Sequence, residues 1–268
     1  MSILDDILKR TRADLVDRRV RVPLSEVKAR CRDQTPPRNF LGAIRREAGQ
    51  EGRRSGPIRV VAEVKKASPS RGVIRADFAP ADLARAYARG GAHAISVLTD
   101  APFFQGSLAH LTAVREAVDL PILRKDFHVD SYQLWEARAA GADAILLIAA
   151  ALSPSEFADL LSLSLDLKLA ALAEVHTRQE LETVLQSGAE LVGINNRDLK
   201  SFEVSLEATF GLLASVPAEV VLLSESGISH ADQVARLASA GVDGILVGEG
   251  LLRYPDVGSA LQRLVGAA

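Results

Sequence analysis

Gly141-Ala142-Asp143-Ala144-Ile145-Leu146-Leu147 is a glycine running into an apolar stretch. The same design recurs at Gly91-Ala92-His93-Ala94-Ile95-Ser96-Val97, Gly188-Ala189-Glu190-Leu191-Val192-Gly193-Ile194 and Gly241-Val242-Asp243-Gly244-Ile245-Leu246-Val247. Glycine fits the left-handed position just past a helix, and an unbroken aliphatic run suits a strand covered on both faces, as parallel sheets require. Each copy therefore marks a helix stop that feeds a strand. Helix starts fall in the complementary places: Ser153-x-x-Glu156, with Pro154 at the first helical position, and Thr177-x-x-Glu180 read as capping boxes, and Ser229-x-x-Asp232 as a weaker one. Working outward, strands are predicted near 59–64, 93–98, 121–124, 143–148, 169–173, 190–194, 220–224 and 243–247, with a helical pattern between each pair. Eight alternating β/α units predict an α/β fold closed into a (β/α)8 TIM barrel. The alternative, a doubly wound open sheet, lacks a Gly-x-Gly-x-x-Gly fingerprint after any strand.

A chain of 268 residues fits such a barrel as a single domain, 1–268, in which 1–57 are a helical extension and link and 58–268 the barrel. Ile3, Leu4, Ile7, Leu8 and Leu15 share one face of an N-terminal helix over 2–16, a second short helix is expected near 24–31, and the basic residues at 18–22 read as a solvated face. The polar, glycine-rich stretch 45–56 reads as a flexible link. A net charge of −2 and only 4% aromatic residues argue against nucleic acid as a partner. The lone Cys31 rules out an intrachain disulfide and suits a reducing, cytoplasmic setting, and the scattered histidines lack metal-site spacing, so no metal is expected. The first residues lack a basic segment followed by an apolar core, and no uncharged run reaches about 18 residues, so neither export nor a membrane partner is expected.

In a barrel of this kind the site lies where the strands end. Val60-Val61-Ala62-Glu63-Val64-Lys65 places Glu63 and Lys65 on one strand face and Val60, Ala62 and Val64 on the other, before the Ser68-Pro69-Ser70-Arg71-Gly72 turn. The third strand ends on Lys125-Asp126-Phe127, the fifth on Glu174, the sixth on Asn195-Asn196-Arg197, the seventh on Ser224-Glu225-Ser226-Gly227, and the eighth on Gly248-Glu249-Gly250. A surface ion pair would explain Glu63 and Lys65 alone, but two lysines and two glutamates crowded at one rim perturb one another's proton affinities, as acid–base chemistry requires. Ser226-Gly227 and Gly248-Glu249-Gly250 follow strands seven and eight, where barrels often hold phosphate on backbone N–H groups, although tight turns alone would also use these glycines. Phe104 and Phe127 lie near the same mouth as a ring pocket or as packing.

Taken together, Ala62-Glu63-Val64-Lys65-Lys66-Ala67-Ser68-Pro69-Ser70, Leu123-Arg124-Lys125-Asp126-Phe127, Ala173-Glu174-Val175-His176, Gly193-Ile194-Asn195-Asn196-Arg197-Asp198-Leu199 and Ser224-Glu225-Ser226-Gly227-Ile228 closely resemble the indole-3-glycerol phosphate synthases. The resemblance spans nearly the whole chain, far beyond a shared barrel. It implies a lyase of tryptophan biosynthesis that needs no cofactor and closes, decarboxylates and dehydrates 1-(2-carboxyphenylamino)-1-deoxyribulose 5-phosphate. It further implies Lys125 as general acid on the ketone oxygen, Glu174 as acid–base group for dehydration, and Glu63, Lys65 and Asn195 as assisting catalytic residues. Ser68, Arg197 and Asn195 would hold the anthranilate part, Phe104 and Phe127 its ring, and Ser226, Gly227, Gly248 and Glu249 the phosphate, together with Lys65. On this reading a neighbouring cation lowers the proton affinity of Lys125 toward working pH. Many members carry Ser or Thr where this chain has Glu249-Gly250, so phosphate contact there falls to backbone N–H groups and Glu249 is expected to face away. The partner is a small phosphorylated molecule, the state a monomer or weak homo-oligomer, and a second barrel does not fit the length. Two rivals remain at this point, a phosphosugar isomerase on the same fold and a non-catalytic barrel that only binds a phosphorylated metabolite. The role of Glu225 stays open.

Overall fold

Hydrogen-bonded neighbour to neighbour, eight parallel strands close into a barrel among the residues that the computed structural model describes, 3–49, 54–198 and 203–266. They are β1 Arg59–Val64, β2 Ala94–Leu98, β3 Ile122–Lys125, β4 Ala144–Ile148, β5 Ala170–Val175, β6 Leu191–Asn195, β7 Val221–Glu225 and β8 Gly244–Val247. Ile245 of β8 faces Val60 of β1, and Val247 faces Ala62, so the ring shuts without an edge and the open-sheet alternative is excluded. The glycines that open the repeats, Gly91, Gly141, Gly188 and Gly241, have φ of 92°, 89°, 88° and 95°, the conformation read for them from sequence.

Alternation along each strand sorts two cores. Val60, Ala62 and Val64 of β1 pack outward under the helices, whereas Val61 packs inward with Leu123, Leu146, Leu172, Leu191, Leu223 and Leu246. Glu63 continues the inward row and reaches the mouth. Four strands run further than the apolar pattern predicted, so that Lys125, Glu174, Asn195 and Glu225 belong to strands rather than to loops. Apolarity ends before these strands do, because the ladder bonds backbone groups and is indifferent to a polar side chain that turns into a cavity. Glu174 is thereby fixed opposite Ile148 and Gly193, and Asn195 opposite Glu225.

Three helices, α1 Ile3–Arg21, α2 Leu24–Arg32 and α3 Phe40–Ile44, precede β1. Phe40 and Ile44 of α3 enter the inner core and close the end opposite the mouth. The basic residues after position 17 are not merely a solvated face, because Arg18 pairs with Glu136 and Arg19 with Asp130. These pairs tie α1 to the helix Ser131–Ala139. The flexible link is also corrected. Glu47–Ala48 pairs antiparallel with Arg54–Ser55, and the buried Arg46 guanidinium donates to the carbonyls of Gly56, Ala238 and Val242. Residues 50–53 of that stretch lie outside the described residues, as does Leu199.

Two cap expectations shift register. Ser153 and Glu156 exchange both bonds of a capping box. Glu180, however, reaches past Thr177 to accept from the His176 N–H at 2.7 Å, and the last box belongs to Gln233, which accepts from the N–H groups of Ser229 and His230 in place of Asp232. No helix among the described residues is long and apolar enough to cross a membrane.

Candidate active site

The C-terminal ends of the strands surround a cavity of ≈ 510 Å³. Glu63, Lys65, Ser68, Phe104, Lys125, Phe127, Glu174, Asn195, Arg197, Ser226, Gly227, Gly248 and Glu249 all line it. At its floor the Lys125 ammonium lies 3.1 Å from Glu225 Oε2 and 3.3 Å from Glu174 Oε2. The other oxygen of Glu174 accepts from Asn195 Nδ2 at 3.1 Å, and Asn195 Oδ1 accepts from the Arg197 N–H at 3.0 Å. Lys65 pairs with Glu63 at 2.5 Å on the facing wall. Three buried glutamates from three strands, Lys125 of a fourth, and Lys65 just past β1 thus meet in one cavity.

Room for these carboxylates comes from missing side chains. A Cβ on Gly193 of β6 would fall inside van der Waals distance of Glu225 Oε1, and a Cβ on Gly248 would collide with Glu63 in the same way. Two glycines in the wall therefore let two glutamates fold flat against it.

The electrostatics correct one expectation. Arg124 does not stand beside the Lys125 ammonium. Its side chain points to the outer layer, where it donates to Thr99, to the Gln133 carbonyl and to Asp126 at 2.8 Å. Alternation along β3 forces this, since adjacent residues face opposite sides. Burial alone would lower the proton affinity of Lys125, but Glu225, Glu174 and Glu63 outweigh it and hold the group above its ordinary value, as an ammonium. Burial also pushes Glu174 up, and Lys125, His176 and Asn195 overcome this so that its carboxyl stays below the usual range. Glu225 goes the other way, pushed up to about 7 by burial and by the charges of Glu174 and Glu63 against the pull of Lys125. Its Oε1 has no hydrogen-bond partner among the described residues. Two carboxylates on one lysine are held in opposite protonation tendencies, the arrangement that separates acid from base.

Around the rim, Ser226 and Gly227 take φ of 69° and 77° after β7. A serine in that region is an uncommon backbone state of the sort that gathers at binding turns. The buried Ser68 Oγ has no partner among the described residues. Phe104 and Phe127 sit with ring centroids 6.1 Å apart. Glu249 does not simply face away. It lines the cavity with its carboxylate 3.0 Å from Arg71 Nε and 3.9 Å from Arg197, so two guanidiniums across the mouth meet its charge. The sequence reading missed Arg71, Arg253 and three residues of α1, Ile3, Leu4 and Ile7, which also line the cavity. The apolar face of α1 was visible, but nothing local says that a helix so far ahead of β1 leans over the barrel mouth.

A model of the family described as indole-3-glycerol phosphate synthase matches residues 4–264. A curated protein of that name from Acidithiobacillus ferrooxidans is 49% identical over 98% of both chains. Those from Aromatoleum aromaticum and Rhodopirellula baltica are 48% and 47% identical, over 99% and 100% of both chains. Among solved structures, 3-hexulose-6-phosphate synthase from Salmonella typhimurium superposes with a TM-score of 0.64 at 10% identity, over 78% of this chain and 97% of that one. Thiamine phosphate pyrophosphorylase from Pyrococcus furiosus gives 0.58 at 19%, over 77% and 93%, so both share the fold alone. With a family model that spans the barrel and the helices before it, and relatives that match from end to end, the chain belongs to the indole-3-glycerol phosphate synthase family of tryptophan biosynthesis.

Proposed function

We propose that Lys125, Glu174 and Glu225 perform the acid–base steps of indole-3-glycerol phosphate formation, with Glu63, Lys65 and Asn195 assisting and with no metal or nucleotide. The observation that carries this reading is the Lys125 ammonium seated between two carboxylates of opposite protonation tendency at the cavity floor. An aryl carbon is a weak nucleophile toward a ketone, so the ketone oxygen must gain a proton as the bond forms. The Lys125 ammonium supplies that proton as the oxygen becomes strongly basic in the transition state. Glu225, neutral part of the time near pH 7, then returns a proton to Lys125. Loss of carbon dioxide restores the benzenoid ring. Glu174, ionised and fixed by Asn195, takes a proton from substrate carbon while the re-protonated Lys125 gives one to the hydroxyl, which leaves as water.

On the same reading Ser68 and Arg197 hold the anthranilate carboxylate, Phe104 and Phe127 its ring, and Lys65 with the backbone of Ser226, Gly227, Gly248 and Glu249 the phosphate. The chain acts as one domain, 58–268 as barrel and 1–57 as extension and link, in the cytoplasm and as a monomer or weak homo-oligomer. Purified protein incubated with 1-(2-carboxyphenylamino)-1-deoxyribulose 5-phosphate should raise indole absorbance and release one carbon dioxide per product, unaffected by EDTA. Turnover without carbon dioxide would instead favour a phosphosugar isomerase, and binding without turnover a sensor.

The phosphate grip predicts a separate effect. Alanine at Gly227 would strain a residue at positive φ and push against Val204 Cγ1, displacing the turn. Because the phosphate is held alike in ground and transition states, Gly227→Ala should raise KM by about tenfold with kcat within about twofold. Steady-state kinetics with KM unchanged would remove Gly227 from the grip.

A further inference from the structure

His176 is a largely buried imidazole for which the acid–base roles above have no use. It follows β5 with its ring between two carboxylates, Nε2 at 3.6 Å from Glu174 Oε1 and Nδ1 at 3.5 Å from Glu180 Oε2. Neither nitrogen has a hydrogen-bond partner among the described residues, and the side chain is 12% exposed. Orphaned ring nitrogens in such a place are costly unless the ring is charged and answered by nearby anions. Its own N–H donates to Glu180 at 2.7 Å, so backbone and ring converge on one carboxylate at the start of the helix Arg178–Gln186.

We propose that His176 is a positioning residue for Glu174, its imidazolium standing between Glu174 and Glu180 and holding Glu174 ionised and aimed into the cavity. The proposal rests on Glu174 being the base of the dehydration step. With a proton on each nitrogen the ring donates toward Glu174 on one side and Glu180 on the other, and small movements bring either into full hydrogen-bond distance. Glu180 is part-exposed, its side chain at 22%, so the chain of three groups leads from the cavity floor toward solvent.

The charges around the ring favour this state. Burial lowers the proton affinity of His176, but Glu180, Glu174 on its own strand and Glu225 on β7 outweigh it, so the ring stays charged to higher pH than a free imidazole. In return Glu180 and Glu174 are held below the usual carboxyl range despite their burial, Glu174 also by Lys125 of β3. The sign follows. Removing the imidazolium takes one cation from Glu174, so its proton affinity rises and the acid side of the rate profile moves to higher pH. Well above that range Glu174 is ionised with or without His176, and the difference fades.

Three variants decide it. Glutamine at 176 should lower kcat several-fold more at about pH 6 than at about pH 8, shifting the acid limb upward with KM little changed. In proton NMR the His176 ring, assigned by its loss in His176→Gln, should titrate above the ordinary imidazole value of about 6.5. Both Glu174→Gln and Glu180→Gln should bring that midpoint down. Should His176→Gln fail to fold, the Glu180→Gln profile carries the test, with a smaller upward shift of the acid limb. A parallel drop of kcat at all pH values, or a ring that titrates at or below the free value, would reduce His176 to packing and overturn the proposal. The NMR arm does not depend on the role of Glu174, whereas near-normal activity of Glu174→Gln would sink that role and leave the coupling intact.

Discussion

Alanine in place of Lys125 is expected to lower kcat by roughly 10²–10⁴-fold, the usual worth of one acid–base group, while KM changes by less than about threefold. The split follows from where the ammonium sits. It is bonded to Glu174 and Glu225 at the cavity floor, and the phosphate is proposed to sit on the backbone past β7 and β8 with Lys65, so its loss removes an interaction made as charge develops rather than one made on binding. A second effect accompanies the first. Lys125 is the strongest influence that lowers Glu174 and Glu225, and without it both carboxyls gain proton affinity, so residual activity should have its acid limb displaced upward. Lys125→Met, which keeps the stem, separates lost packing from lost charge. Borohydride reduction in the presence of substrate, followed by mass spectrometry, addresses covalent catalysis, because a lysine that condensed with the ketone would be trapped as a reduced adduct. An adduct on Lys125 or Lys65, or near-normal kcat in Lys125→Ala, would each overturn the acid–base assignment.

What could be read in the sequence was whatever one element determines by itself. The helix stops at Gly91, Gly141, Gly188 and Gly241 are local, because a helix that closes on a left-handed residue favours glycine there whatever surrounds it. The inward direction of Glu63 follows from strand alternation, and the convergence of the strand ends follows once eight units close. Contacts between elements were not legible. Arg124 and Lys125 are adjacent in sequence, yet they face opposite sides of β3, one toward Asp126 and the other toward Glu174 and Glu225. Polar, glycine-containing sequence made 45–56 look like a link, because the groups that bury Arg46 and pair with Arg54 come from about 160 to 200 positions later. The lean of α1 over the mouth and the place of His176 between two carboxylates are likewise facts of packing.

The closed end of the barrel gives the second large effect, an expected loss of about 3–5 kcal/mol for Asp243→Ala, as for a buried ion pair stripped of one partner. Asp243 is 1% exposed and stands just before β8. Its carboxylate accepts from the backbone N–H of Arg46 at 3.0 Å and of Leu222 at 3.0 Å, and pairs with Arg54 Nε at 3.0 Å. Those three partners belong to the segment after α3, to β7 and to the hairpin before β1, so one side chain fastens the N-terminal extension to the barrel rim. Half a barrel away Asp143 repeats the device, accepting from the N–H groups of Arg38 and Ile122 at 2.6 and 2.7 Å and pairing with Arg115 at 2.8 Å. Both carbonyls also begin a strand, that of Asp243 accepting from Arg59 and that of Asp143 from Ala170. Alanine at 243 leaves two backbone donors and a largely buried guanidinium without their acceptor, and the loss should lower Tm by on the order of 10 °C. Asp243→Asn keeps one acceptor oxygen and should lose less. The mouth lies at the other end of the strands, so kcat measured well below the new Tm should remain within about twofold of the parent. A Tm within about 2 °C of the parent would mean that water replaces the carboxylate at this end, and that the pinning of the extension rests on Phe40 and Ile44 in the inner core rather than on the aspartate.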